Sequence, residues 1–138
     1  MRLINLSEAS YIGFHALSVL VIHGDKMSIK ELAQKTDSSE FHLSKIMQRL
    51  AKDGLVKSTR GPEGGFMLAK DSEKITLLDI YESIEGRIDS NPCAYGKQNC
   101  VFDICLFRGV LNDLNDKFYK FLSGTTLKAF TKPQGDKC

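Results

Sequence analysis

The feature that most constrains the fold of this chain is a glycine-rich turn that follows a pair of short helical patterns. Three glycines and one proline lie within Arg60–Gly65, and this composition favours a turn between two strands. Leu55–Thr59 before the turn and Phe66–Ala69 after it are expected to be those strands. The sequence therefore predicts a β-hairpin with an exposed tip directly after two helices.

Serine residues mark the expected starts of the first two helices. Ser7 is a favourable N-cap, and the apolar spacing after it predicts a helix that ends near His23. Ser28 is expected to cap a second, short helix over Ile29–Lys35. Apolar residues recur in both helices at intervals of three and four, so each is expected to bury one face.

A third helix is predicted to begin after a polar turn and to run to Asp53. The spacing from Asp37 to Glu40 is that of a capping box, and Gly54 is expected to end the helix in a left-handed conformation. The residues of this helix expected in the core are Leu43, Ile46, Met47 and Leu50. Two short helices joined by a polar turn predict a helix-turn-helix. The hairpin at residues 55–70 would be its wing, within a winged helix-turn-helix domain at residues 1–86.

The predicted helix-turn-helix and wing are the basic part of the chain. Residues 26–70 contain nine Lys and Arg against five Asp and Glu, a net charge of +4, whereas the whole chain has a net charge of +2. A phosphate-binding surface has this pattern, and so does a solvated lysine-rich face. The side chains expected to contact double-stranded DNA are Ser39, Glu40, His42, Ser44 and Lys45 on the third helix, with Lys57 and Arg60 on the wing.

Three cysteines, Cys93, Cys100 and Cys105, lie within thirteen positions downstream of this domain. Thiolates are soft ligands that suit iron–sulfur clusters, zinc or copper, so the three can converge on one metal centre. Structural zinc sites usually pair cysteines more closely and need a fourth Cys or His, which is missing nearby. Thiol chemistry without a metal is the other alternative. Residues 87–106 are therefore a candidate metal-binding loop, whereas Cys138 is expected to be an exposed thiol of the tail.

The C-terminal part of the chain has the pattern of a long amphipathic helix. Its apolar residues fall on one stripe at helical spacing: Phe107, Val110, Leu111, Leu114, Phe118, Phe121 and Leu122. Residues 107–130 are expected to form a dimerisation helix that also covers part of its own domain. Residues 131–138 are expected to be a flexible tail.

Composition and length exclude several other classes of protein. A chain of 138 residues with 42% hydrophobic residues is long enough for one compact core, and its apolar runs are too short for a membrane span. The N-terminus lacks the pattern of a signal peptide, which favours the cytoplasm and reduced thiols. No spacing of nucleophile and base, phosphate-binding loop or carboxylate pair suggests an enzyme. The expected fold class is mainly α with a small β-hairpin.

Four segments together resemble the iron–sulfur-cluster regulator family of winged-helix transcription factors, the family of IscR and NsrR. These segments are Ser28–Ala33, Leu50–Ser58, Arg60–Phe66 and Ile75–Gly86, followed by the cysteine triplet. The resemblance extends over nearly the whole chain, from Met1 to Phe130. The combination of wing motif and cysteine triplet is specific, whereas each helix alone is not.

The resemblance implies a homodimer that binds a palindromic operator and holds a 2Fe–2S or 4Fe–4S cluster through Cys93, Cys100 and Cys105. The gaps between these cysteines, six and four residues, are less even than is usual in the family, and no histidine follows Cys105 closely. Some members take a carboxylate from the first helix of the partner subunit, and Glu8 stands at that position. Glu8 is equally suited to be a favourable acid in the first turn of a helix.

The sequence is therefore interpreted as a homodimeric transcriptional regulator, expected to act as a repressor, that senses redox state, nitric oxide or iron through a cluster. The alternatives are a metal-free winged-helix regulator that uses thiol chemistry or a partner protein, and a structural zinc module.

Overall fold

A computed structural model of the protein describes residues 6–88, 93 and 100–132. The chain forms six α-helices, one hairpin and a short 3₁₀ turn within these residues. Their bounds are α1 Glu8–His23, α2 Ile29–Thr36, α3 Glu40–Lys52, β1 Val56–Thr59, β2 Gly65–Leu68, the 3₁₀ turn Ser72–Lys74, α4 Leu77–Glu85, α5 Val110–Gly124 and α6 Leu127–Phe130. The mainly helical fold with a small hairpin is as predicted.

The N-caps of α1 and α2 are the predicted serines. The Ser7 hydroxyl accepts a hydrogen bond from the Ser10 backbone N–H, and Gly24 ends α1 in a left-handed conformation with φ +79°. Ser28 and Glu31 form a reciprocal capping box at the start of α2, in which each side chain accepts from the other residue's backbone N–H. These local bonds satisfy backbone donors that would otherwise have no partner in the first turns.

The prediction of a capping box between Asp37 and Glu40 is wrong. Ser39 is the N-cap of α3, and its hydroxyl accepts from the His42 backbone N–H at 3.1 Å. Asp37 instead ends α2 in a left-handed conformation, with φ 50°. The reason is that α2 continues to Thr36, so the turn before the cap is only two residues long. The C-terminal end of α3 is as predicted, because Gly54 is left-handed with φ +75°.

One hydrophobic core joins α1, α2, α3 and α4. The residues predicted for α3, Leu43, Ile46, Met47 and Leu50, are all buried there. The hairpin is antiparallel, with Val56 opposite Leu68 and Thr59 opposite Gly65. The first strand begins one residue later than predicted, and the second strand begins and ends one residue earlier than predicted. Met27 extends the sheet through a bridge to Phe66, which attaches the wing to the loop before α2.

The C-terminal part consists of two helices rather than the single helical region predicted at residues 107–130. The chain extends between α5 and α6, where Thr126 bridges to Thr76 and caps α6 by accepting from the Ala129 N–H at 3.2 Å. Leu127 is fully buried in the core, so α6 packs on its own domain. Most of the predicted tail, from residue 133 on, lies outside the described residues. None of the helices in the described part is long and apolar enough to cross a bilayer.

Candidate DNA interface and cysteine segment

The side of α3 that faces away from the core forms a continuous exposed stripe. Its residues follow one another at intervals of four, three and four: Phe41, Lys45, Gln48 and Lys52. All four are exposed, and they lie opposite the buried face of the helix. Because α3 is the second helix of the helix-turn-helix, this stripe is the surface that such a motif presents to the major groove.

The structure places the predicted DNA contacts of α3 in three different situations. Glu40 and Lys45 are exposed. The hydroxyl of Ser39 already accepts the capping hydrogen bond from the backbone of α3. His42 and Ser44 are half-buried on the two flanks of the exposed stripe. Glu40 and Lys45 are therefore the members of the predicted set on α3 that are exposed and are not used in capping the helix.

Phe41 is a residue that the sequence interpretation missed. Its side chain is 73% exposed, and the Lys45 Nζ lies 4.3 Å from the centroid of its ring, a cation–π contact. Phe41 was placed neither in the predicted core of α3 nor among its predicted DNA contacts. The helical spacing contained the signal, because Phe41 lies four residues before Lys45 and on the side opposite Ile46 and Leu50.

The wing presents two exposed cations beside α3. Lys57 in β1 and Arg60 at the start of the turn are both exposed. Within residues 6–88, 93 and 100–132, no carboxylate lies within ion-pair distance of Lys45, Lys57 or Arg60. Their charges are therefore available to phosphate groups. The hairpin that carries them is closed by Thr59, whose hydroxyl accepts from the Gly65 N–H at 3.2 Å.

The three predicted cluster ligands do not form an assembled site in the described residues. Cys93 is half-buried, and Cys100 and Cys105 are exposed. Among the residues that the structure describes, no group of three or more His, Cys, Asp or Glu side chains is arranged to hold a metal ion. The donor chemistry suits an iron–sulfur cluster, because three thiols can each ligate an iron. Residues 94–99 between two of these cysteines, and the tail with Cys138, lie outside the described residues.

The cysteine segment around residues 100–107 is also strongly apolar at its surface. The exposed residues are Val101, Phe102, Ile104, Leu106 and Phe107, and Val101 is 91% exposed. A single chain therefore leaves a contiguous run of large apolar side chains next to Cys100 and Cys105. Exposed apolar surface of this extent is typical of an interaction site.

Glu8 lies in the first turn of α1 and is exposed. The turn that carries it is fixed to the end of α4 by the Glu85 carboxylate. Glu85 accepts a hydrogen bond from the Ser7 backbone N–H at 3.1 Å, and further bonds from the hydroxyls of Ser7 and Ser10. These bonds connect the start of α1 with the end of α4. The sequence interpretation did not predict this connection.

The apolar stripe of α5 is divided between the core and the surface. Leu122 is buried, and Phe118 packs edge-on against Tyr81 of α4 with ring centroids 5.8 Å apart. Val110, Leu114 and Phe121 are each about half exposed, at 54%, 49% and 52%. The helix therefore carries more apolar surface than its own domain covers.

Comparison with known proteins places the chain in a family. Residues 6–133 match a family model described as Rrf2, iron-dependent transcriptional regulator. The chain is 31% identical over 107 residues to the HTH-type transcriptional regulator IscR of Photorhabdus laumondii, a match that covers 77% of this chain and 65% of the relative. It is 33% identical over 100 residues to IscR of Escherichia coli, which covers 72% of this chain and 61% of the relative. The matches thus span less than two thirds of the length of these relatives.

Solved structures with the same fold include two regulators. CymR of B. subtilis, described as the global cysteine regulator, superposes with a TM-score of 0.77 at 26% identity, covering 96% of this chain and 99% of CymR. IscR of T. potens superposes with a TM-score of 0.74 at 27% identity, covering 96% of this chain and 94% of that protein. The winged-helix fold and the family resemblance seen in the motifs are both confirmed. The chain belongs to the Rrf2 family of transcriptional regulators.

Proposed function

We propose that this protein is a homodimeric transcriptional regulator that binds a palindromic site in double-stranded DNA. The observation that carries the proposal is the exposed stripe of α3 beside the unpaired cations of the wing. An α-helix enters the major groove of B-DNA, and basic side chains beside it neutralise phosphates. Two-fold symmetry of the dimer would place two such helices on successive major grooves, which accounts for a palindromic site.

Arg60 is the residue whose removal tests this mode of binding. A duplex with high affinity is first selected with the wild-type protein from a random pool, and binding is then titrated at several salt concentrations. We expect Arg60→Ala to weaken all duplexes alike and to reduce the slope of log affinity against log salt by about 1 for each wing. Arg87→Ala, which removes an exposed arginine outside α3 and the wing, is the matched control. Undiminished affinity and slope in Arg60→Ala would remove the wing from the DNA interface.

We also propose that Cys93, Cys100 and Cys105 hold an iron–sulfur cluster, with Glu8 of the partner subunit as a candidate fourth ligand. The support is the chemistry of the three thiols and the membership in a family described as iron-dependent. A bound cluster would supply a redox centre whose potential the protein environment sets. The exposed turn that carries Glu8 is free to face another subunit.

The visible absorption of protein purified without oxygen tests the cluster. We expect a brown protein with broad visible absorption, and iron and sulfide contents that fall strongly in each single Cys→Ala variant at positions 93, 100 and 105. Cys138→Ala is the matched control and is expected to keep the wild-type content. Glu8→Ala is expected to change the spectrum and to hasten loss of the cluster in air. Full iron and sulfide in Cys100→Ala would rule out the three-cysteine site.

Metal-free thiol chemistry is the second candidate for the cysteine segment. Cys100 and Cys105 are exposed, as reactive thiols must be, and the similar protein CymR was solved from Staphylococcus aureus in an oxidized form. A colourless protein without iron, whose DNA affinity changes on treatment with hydrogen peroxide and recovers with a thiol reductant, would favour this candidate.

A further inference from the structure

The exposed phenyl ring of Phe41 has no role in the fold of the domain. The side chain is 73% exposed, and it is not part of the hydrophobic core. It nevertheless has a defined neighbour, because the Lys45 ammonium lies 4.3 Å from the ring centroid. The pair therefore presents an apolar ring beside a positive charge, on the side of α3 that faces away from the core.

We propose that Phe41 reads a thymine in the DNA site through the C5-methyl group in the major groove. Thymine is the one DNA base that presents a methyl group in that groove, and apolar side chains such as Phe contact it. A cytosine at the same place would present an amino donor, which a phenyl ring leaves without an acceptor. Phe41 is thus a specificity-determining residue, and the inference rests on the proposed DNA-binding function.

Lys45 has a different role from Phe41 in this arrangement. Its ammonium lies against the ring, and it has no carboxylate partner within the described part of the chain. The charge is therefore left for a phosphate of the same half-site. Lys45 supplies affinity for any DNA sequence, whereas Phe41 supplies preference for thymine.

Replacement of thymine by deoxyuridine separates the two roles, because deoxyuridine lacks only the methyl group. A duplex is selected with the wild-type protein, and fluorescence anisotropy then gives its affinity with each thymine of the half-site replaced in turn. At one position we expect the wild-type affinity to fall about fourfold for each half-site, the factor that corresponds to one buried methyl group. In Phe41→Ala the affinities for the two duplexes should become equal.

Two further variants control for unspecific effects. Lys45→Gln is expected to keep the preference for thymine over deoxyuridine but to lower the salt slope by about 1 for each half-site. Ile22→Ala removes an apolar side chain from the end of α1 that is equally exposed, at 74%. It should leave both the preference for thymine over deoxyuridine and the salt slope unchanged. Sedimentation should give the same oligomeric state for Phe41→Ala as for the wild type.

The inference is overturned if Phe41→Ala discriminates thymine from deoxyuridine as strongly as the wild type does. It is equally overturned if the wild type discriminates at no position, or if Phe41→Ala loses self-association, since the ring would then contact a second copy of the chain. Failure of the proposed function has a different signature. In that case the wild-type protein would enrich no duplex from the random pool and would bind none in the titrations.

Discussion

Gly65 occupies a place where a larger residue does not fit. A Cβ atom built there would overlap the backbone carbonyl of Met27, in the bridge that attaches the wing to the loop before α2. The backbone of Met27 cannot move aside without breaking its two hydrogen bonds to Phe66, at 3.0 and 2.8 Å. We expect Gly65→Ala to lower the free energy of unfolding by about 1–3 kcal/mol, measured by chemical denaturation.

Gly124→Ala is the control for this substitution, because a Cβ atom there would meet open space. It should leave the stability unchanged or raise it slightly. Equal stabilities for the two variants would mean that the wing base tolerates a side chain and that Met27 is not held against Gly65.

Ser10 is the second residue for which the structure makes a specific prediction. It is fully buried in α1, and its hydroxyl donates to the Glu85 carboxylate. A hydrogen bond to a charged group contributes more stability than a bond between neutral groups, so Ser10→Ala should destabilise the protein by about 1–3 kcal/mol. In Ser18→Ala, by contrast, the lost hydroxyl donates only to a carbonyl of its own helix, and the change should be close to neutral. The measurement is the melting temperature of each variant in thermal unfolding, which should be lower for Ser10→Ala. Equal melting temperatures for Ser10→Ala and Ser18→Ala would count against the link between α1 and α4.

At the scale of elements, α2 depends on its capping box and therefore on pH. The backbone N–H and the hydroxyl of Ser28 both donate to the Glu31 carboxylate, and they hold the pKa of Glu31 below its ordinary value of 4.5. A lowered pKa in the folded state stabilises the fold above the ordinary pKa, and this contribution is lost as the pH falls through the lowered value. The difference in stability between wild type and Glu31→Gln should therefore be present at neutral pH and disappear in acid.

Ser28→Ala provides a second measurement on the same element. It should cost about 1 kcal/mol, the usual effect of losing an N-cap. A stability difference between wild type and Glu31→Gln that persists unchanged into acid would show that the carboxylate is not the group responsible.

The elements that could be predicted from sequence are those fixed by neighbouring residues. The caps Ser7 and Ser28 and the glycine Gly54 affect only residues a few positions away. The starts of α1 and α2 and the end of α3 were predicted from them. The bonds from Ser7 and Ser10 to Glu85 join residues 75 to 78 positions apart, which no local pattern contains. The break between α5 and α6 did leave a local signal, since Thr126 is a suitable N-cap.

The candidate site was predictable to a similar degree. Lys45, Lys57 and Arg60 were expected at the surface from their charge, and they are exposed. Phe41 belonged to neither the predicted core nor the predicted DNA contacts, and it lies on the exposed side of α3. An apolar residue type does not indicate the surface, so the signal was only in its helical position. Residues 94–99, which join Cys93 to Cys100, and Cys138 lie outside the described part of the chain.

At the scale of the whole molecule, the half-exposed stripe of α5 predicts a dimer. Leu114 lies in this stripe, so Leu114→Asp should leave the folded domain intact and raise the dissociation constant of the dimer. Leu114 is already about half-buried in the single chain, so each protomer would lose about 1 kcal/mol of apolar burial, and the two together would raise the dissociation constant about tenfold to one hundredfold. Ile22→Asp introduces the same charge at an exposed apolar position of α1 and should leave the dimer unchanged. Sedimentation equilibrium that gives the same dissociation constant for both variants would exclude α5 from the interface.

The most direct test of the central claim is whether the cysteine segment controls DNA binding. The affinity for the selected duplex is measured without oxygen for the wild-type protein and for a variant with Cys93, Cys100 and Cys105 all replaced by Ala. Coupling between two sites typically changes affinity by about 5–150-fold, so the two affinities should differ by at least about fivefold, while Cys138→Ala should match the wild type. Equal affinities in the wild type and the triple variant would contradict the claim that these cysteines regulate the DNA-binding surface.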